Sequence, residues 1–139
     1  ILQAVIEESL GLPLLVKIAP DLADEDIIAV ADLALELGLA GVIATNTTIG
    51  REGLKTPKER ITEIGAGGLS GAPLKERSLA VLRLLNGHLQ GKIAIVSVGG
   101  IETATEARER LENGATLVQG YSGFIYEGPL WARRVNRGI

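Results

Sequence analysis

Four short apolar runs, at residues 14–19, 41–45, 93–98 and 117–121, alternate along the chain with longer segments whose apolar residues recur every three or four positions. The runs are rich in β-branched residues and nearly continuous in hydrophobicity, the pattern of strands buried in a parallel sheet. Between them, residues 24–37 read as an amphipathic helix. Asp24, Glu25 and Asp26 favour its positive N-terminal end and Gly38 suits its stop. Residues 74–89 form a second helical pattern with Leu79, Leu82, Leu85 and Leu89 on one side. Residues 103–113 form a third, opened by a Thr103–Glu106 capping box and closed by Gly114. The chain also begins in a helical pattern, and residues 129–137 start a last helix. Strands alternating with helices imply a parallel sheet with right-handed crossovers. An open doubly wound sheet and a barrel both fit that order.

One segment breaks the rhythm. Residues 48–73 show no sustained apolar periodicity and are punctuated by Gly50, Gly53, Gly65, Gly67, Gly68 and Gly71. Loops of this length inside a compact domain are usually functional or mobile. This one leaves the C-terminal end of the second strand, the face on which α/β proteins build their sites.

Composition narrows the function classes. The 139 residues carry a net charge of −3 and no basic block, which disfavours nucleic acid. With no cysteine and one histidine, His88, neither a disulfide, a thiolate metal site nor a zinc site is expected within these residues. No apolar run approaches the length of a membrane span, and no signal peptide is expected at the start. There is no methionine anywhere, so the chain is expected to be a segment of a longer protein. No Walker or G-x-G-x-x-G pattern occurs, which argues against a P-loop or Rossmann site.

Polar residues at strand ends are the candidates for chemistry. Lys17 lies inside the first strand, where it is either a structural ion pair or snorkelling side chain, or a cation aimed into a site. Thr45, Asn46, Thr47 and Thr48 close the second strand and offer turn chemistry or contacts to a small polar ligand. Gly67-Gly68-Leu69-Ser70-Gly71 is either a flexible loop or an anion cradle. Gly99-Gly100 follows the third strand and Tyr121-Ser122-Gly123 the fourth. In barrels, a phosphate is often held between the loops after the last two strands, so this pairing favours a phosphate site. His88 reads as a solvated surface residue, Asp24 to Asp26 as helix-end electrostatics, and Trp131 and Phe124 as packing residues.

Five segments occur in an order and spacing that resemble class 2 (quinone-dependent) dihydroorotate dehydrogenases. They are Val16-Lys17-Ile18-Ala19-Pro20-Asp21, Ala44-Thr45-Asn46-Thr47-Thr48, Gly67-Gly68-Leu69-Ser70-Gly71-Ala72-Pro73-Leu74, Val98-Gly99-Gly100-Ile101, and Gly114 through Gly123. The resemblance runs from about Pro13 to Pro129. It implies a (β/α)8 TIM barrel of which residues 1–139 supply the C-terminal half, strands five to eight of a single FMN-binding domain. It also implies oxidation of dihydroorotate to orotate in pyrimidine biosynthesis, with the hydride passed to FMN and then to a membrane quinone. Residue by residue, Lys17, Thr45, Gly71, Gly99, Gly100, Tyr121 and Ser122 match cofactor-binding positions. Lys17 matches the flavin-contacting lysine, while Gly100 and Tyr121-Ser122 offer backbone donors to the phosphate. Asn46 and Thr47 match orotate-binding positions.

Two residues depart from the family pattern: Ser97, where many relatives have glycine, and Gly120, where a larger apolar residue is common. No catalytic residue is assigned here, because the family's base is a serine in the first half of the barrel, and Ser70 does not take its place. The element that meets quinone at the cytoplasmic side of a bacterial membrane belongs to that half too. The segment alone is therefore expected to be inactive and to self-associate. Two other readings remain open on the residues: a different FMN- or phosphate-binding barrel enzyme, and a non-enzymatic half-barrel binding or assembly module.

Overall fold

A computed structural model describes residues 1–139. Helix α1 (Leu2–Glu8) leads into strand β1 (Leu15–Ile18), helix α2 (Asp24–Glu36) and strand β2 (Gly41–Ala44). The long connection that follows contains helix α3 (Lys58–Ile64) and a single 3-10 turn at Ala72–Leu74. Helix α4 (Lys75–Leu89), strand β3 (Ala94–Val98), helix α5 (Ala104–Glu112), strand β4 (Leu117–Gln119), helix α6 (Ser122–Glu127) and helix α7 (Trp131–Gly138) complete the chain.

The four strands form one parallel sheet in sequence order, β1-β2-β3-β4. Sequential order with a helix after each strand is half of a (β/α)8 barrel; a Rossmann-type open sheet would reverse its order at a switch point. Each strand is shorter than its apolar run by one or two residues, because the run's ends leave the ladder to build the loops above and below it.

The core lies between the sheet and its helices. Val16, Ile18, Val42, Ala44 and Ile95 face Ile27, Ala31 and Ala34 of α2 and Leu79, Leu82, Leu85 and Leu89 of α4. All four of those leucines are buried, as the helical spacing requires. Each such side chain removed from water contributes about 1.5–3 kcal/mol. The stop of α2 is as the sequence predicts: after Gly38, the Leu39 amide returns to the Ala34 carbonyl at 2.9 Å. The Thr103–Glu106 capping box is formed in both directions. Two side-chain contacts cross from α2 to α4, the Asp24–Arg77 ion pair at 2.9 Å and the Asp32–His88 hydrogen bond at 2.6 Å. His88 is thus a helix–helix contact and not simply a solvated residue.

The other face of the sheet is open. Leu15 and Leu117 are 39% and 61% exposed, and Lys17 and Gln119 on the same face are also exposed. In a closed barrel these positions would fill the interior. At the other end of the chain Trp131 packs against Ile101, Ala107 and Val135 in a second small core. Phe124, by contrast, is 42% exposed.

Candidate functional site

A cavity of about 500 Å³ opens at the C-terminal ends of the four strands. Lys17 enters it from β1, and Thr45, Asn46 and Thr47 from the end of β2. Ser70 and Gly71 come from the long connection, Gly99 and Gly100 from the end of β3, and Tyr121 and Ser122 from the end of β4. The nine residues that the family resemblance marks for cofactor or substrate therefore meet in one place, although they span residues 17 to 122.

Backbone bonds fix the strand ends. The Thr45 amide donates to Val98 O of β3 at 2.9 Å, and the Asn46 amide to Ile18 O of β1 at 2.7 Å. Thr45 is 1% exposed and its hydroxyl donates to Asn46 O at 3.0 Å. Asn46 Oδ1 accepts the Thr47 amide at 2.9 Å, which leaves its side-chain NH2 free toward the cavity.

The long connection is tied down at its two ends. Thr48 and Leu69 form an antiparallel bridge, with N···O distances of 3.1 and 2.8 Å. The Asp21 carboxylate after β1 accepts the Thr48 hydroxyl and, at 3.2 Å, the Ile49 amide. Arg51 donates to Thr48 O, Gly50 O and Gly67 O, binding both arms of the loop. Gly68 lies so close that a Cβ there would be 2.6 Å from Thr47 Cβ. Beyond it, Ser70 Oγ meets Ser122 Oγ at 2.9 Å, joining the loop to the start of α6. Asp21 and Arg51 were not candidates on sequence grounds, because their partners are 27 and 16 residues away.

Gly99 and Gly100 line the cavity wall with φ of +119° and +68°, a region L residues rarely enter. A Cβ on Gly100 would be 2.6 Å from Lys75 Cα and 2.7 Å from Lys75 N, so the loop rests directly on the first turn of α4. Behind it stands a polar layer. Ser78 Oγ donates to Gly99 O at 2.8 Å, and Lys75 Nζ meets Glu106 Oε1 at 2.7 Å. Burial pushes the Glu106 carboxyl up. Its bonds from Lys75, the amides of Glu102 and Thr103, and the Thr103 hydroxyl outweigh that and leave it at about 2. The hydrogen bond to Glu106, and after it the Glu106 charge, raise the Lys75 pKa.

Lys17 makes no ion pair and no side-chain hydrogen bond within the chain. Its charge stands on the open face beside Thr45, available to a ligand. Both departures from the family pattern have visible consequences. Ser97 is fully buried on the helix-facing side of β3, and its hydroxyl has no partner. Gly120 leaves space for Trp131: a Cβ there would be 2.7 Å from Cζ2 and closer still to Cη2.

Fold and site define half of a β/α barrel with a cavity at the C-terminal mouth of its strands, the face on which such barrels build their sites. The dihydroorotate dehydrogenase family model matches residues 1–139, and the chain belongs to that family. It is 64% identical over 139 residues to the dihydroorotate dehydrogenase (quinone) of Rhodococcus erythropolis, covering 100% of this chain and 39% of that protein. It is 65% identical over 128 residues to the enzyme of the same name from Thermobifida fusca, covering 92% and 34%. A solved DHODH from Eimeria tenella, in complex with ferulenol, superposes with a TM-score of 0.82 at 46% identity, covering 91% of this chain and 33% of that one. The chain thus spans well under half the length of the relatives it matches.

Proposed function

We propose that residues 1–139 form the C-terminal half of the flavin and substrate site of a quinone-dependent dihydroorotate dehydrogenase, the enzyme that oxidises dihydroorotate to orotate in pyrimidine biosynthesis. The observation that carries this reading is the convergence of Lys17, Thr45, Asn46, Thr47, Gly71, Gly99, Gly100, Tyr121 and Ser122 in one cavity at the strand ends. Flavin mononucleotide suits the site: the Gly100 amide, at the cavity wall, has no partner in the chain, as a phosphate cradle requires.

Bound there, flavin mononucleotide supplies the hydride acceptor. The chain's own residues hold and bias it. Gly100 and the Tyr121-Ser122 backbone bind the phosphate, and Gly71 admits the flavin beside Ser122, whose Cβ would be 3.3 Å from a side chain at 71. Thr45, immobilised by its backbone bond to β3, positions the ring. Lys17 places an ammonium at the ring edge and favours negative charge arriving there. The free NH2 of Asn46 and the Thr47 hydroxyl present donors to the carbonyl and carboxylate groups of orotate. Substrate must also lose a proton, and no side chain here is assigned to take it. The base, the quinone contact and the attachment to the cytoplasmic face of a cell membrane belong to residues outside this chain. No helix in the chain is long and apolar enough to cross a membrane.

By the same reasoning the chain alone is inactive, and its open face and the unpaired edges of β1 and β4 promote self-association. Titration of the intact barrel protein with orotate tests the substrate assignment. Asn46→Ala should weaken orotate binding by about tenfold, the scale of one lost hydrogen bond to a charged ligand, with flavin still bound. Unchanged orotate affinity would reject the assignment.

A further inference from the structure

The largest fully buried side chain in the molecule is a cation. Arg110 of α5 is 0% exposed. One terminal nitrogen donates to Lys75 O at 2.8 Å and to Gly99 O at 3.1 Å, while Nε and the other terminal nitrogen have no partner. No carboxylate pairs with it. Glu106, one turn earlier on the same helix, is taken by Lys75 and the capping box. A guanidinium stays protonated in proteins, so the chain buries a positive charge that no carboxylate contacts directly; Glu109, Glu106 and Glu76 act on it only through space.

Its position gives that charge a use. The Gly99 carbonyl accepts both Arg110 and Ser78 Oγ, from behind the cavity wall. In a trans peptide the N–H lies on the opposite edge of the plane from the carbonyl. The Gly99–Gly100 unit therefore turns its N–H, that of Gly100, away from Arg110 and toward the cavity, and this N–H has no acceptor in the chain. Two donors on the carbonyl polarise the unit and strengthen its N–H as a donor.

We propose that Arg110 is a positioning residue for the anionic group of the ligand: it fixes and polarises the Gly99–Gly100 peptide from behind, and the phosphate bound in front supplies a further counter-charge. The proposal rests on the flavin reading above and deepens it. It assigns part of the phosphate affinity to a side chain that does not touch the phosphate.

The test uses the intact barrel protein stripped of flavin and titrated with flavin mononucleotide and with riboflavin, which lacks the phosphate. Arg110→Met should weaken mononucleotide binding by about tenfold to a hundredfold, the range of a hydrogen bond to a charged group, and leave riboflavin binding within about threefold. Arg110→Lys, which keeps the charge, should recover part of the loss. Ser78→Ala removes the other donor to the same carbonyl with little risk to the fold, and should show a smaller loss of the same selectivity. Equal weakening of both ligands in Arg110→Met and Ser78→Ala, or no weakening of either, overturns the proposal while the flavin reading stands. If the unsubstituted protein bound riboflavin as tightly as the mononucleotide, the phosphate assignment itself would fall, and this proposal with it.

Discussion

Gly120 and Trp131 form a matched pair, and exchanging their sizes measures how tightly the fourth strand's exit is packed. Gly120 does not have a positive φ, so a side chain there is limited by space alone. That space is the edge of the Trp131 ring, 2.7 Å from a Cβ at Cζ2. The ring is 8% exposed, packed on Ile101, Ala107 and Val135, and held by its Nε1–H bond to Glu102 O at 2.7 Å. Inserting a leucine therefore overpacks the site at about 1–3 kcal/mol and strains a hydrogen bond with a net value of about 1 kcal/mol. Gly120→Leu should cost about 2–4 kcal/mol. Trp131→Ala, which empties the pocket, should cost about 3–5 kcal/mol. In the double variant the leucine fills the space the ring vacates, so the cost should stay near that of Trp131→Ala alone, with a coupling of about 2 kcal/mol or more. Urea midpoints of the intact barrel protein followed by far-UV circular dichroism give the values, provided the m values agree. Additive costs within about 0.5 kcal/mol would refute the packing account.

Three further outcomes are expected. Lys17→Met should slow flavin reduction by dihydroorotate by about tenfold or more in stopped-flow, with the urea midpoint unchanged, since Lys17 has no partner in the chain; an unaltered rate would remove its electrostatic role. Ser97→Ala deletes a buried hydroxyl without a partner and should raise stability by about 1 kcal/mol in denaturant titration; a loss of similar size would mean that the hydroxyl has a partner after all. Glu106 has a folded pKa of about 2 against an ordinary 4.5, so its contribution is fully present above about pH 4.5 and is lost as pH falls toward 2. Glu106→Gln should lower stability at neutral pH and flatten its acid dependence across that window, and an unchanged slope would contradict the Lys75–Glu106 arrangement.

Much of the fold was legible because burial imposes a period. β1 to β4 each show a short β-branched run, α2, α4 and α5 each show a helical pattern, and α2 and α5 show a stop or cap besides. Where burial is absent the signal vanishes. Helix α3 buries no residue, and its Ile64 is 68% exposed, so no apolar period marked residues 58–64 as helical. Helix α6 holds Phe124, Ile125 and Tyr126 at 42–87% exposure, which reads as an irregular apolar stretch. The site followed from chemistry at strand ends combined with family resemblance: the residues alone left Lys17 and Gly67 to Gly71 open between a structural role and a ligand contact. Arg110 was missed because Arg108 and Arg110 look alike in sequence. Spacing held the clue: Arg110 is three residues from buried Ala107, on the inward face, whereas Arg108 is exposed and reaches the Gly138 carbonyl. The Asp21 and Arg51 latches depend on tertiary contacts that no local pattern records.

The central claim is that this half-barrel mouth holds the phosphate of a flavin and one side of orotate. A structure of the intact barrel protein with flavin mononucleotide and orotate bound tests it most directly. The account predicts phosphate oxygens within about 2.7–3.2 Å of the Gly100 and Ser122 backbone nitrogens, Lys17 Nζ at the ring edge, and orotate against Asn46 and Thr47. A phosphate seated away from the Gly99–Gly100 loop, or orotate with no contact to Asn46, would contradict it.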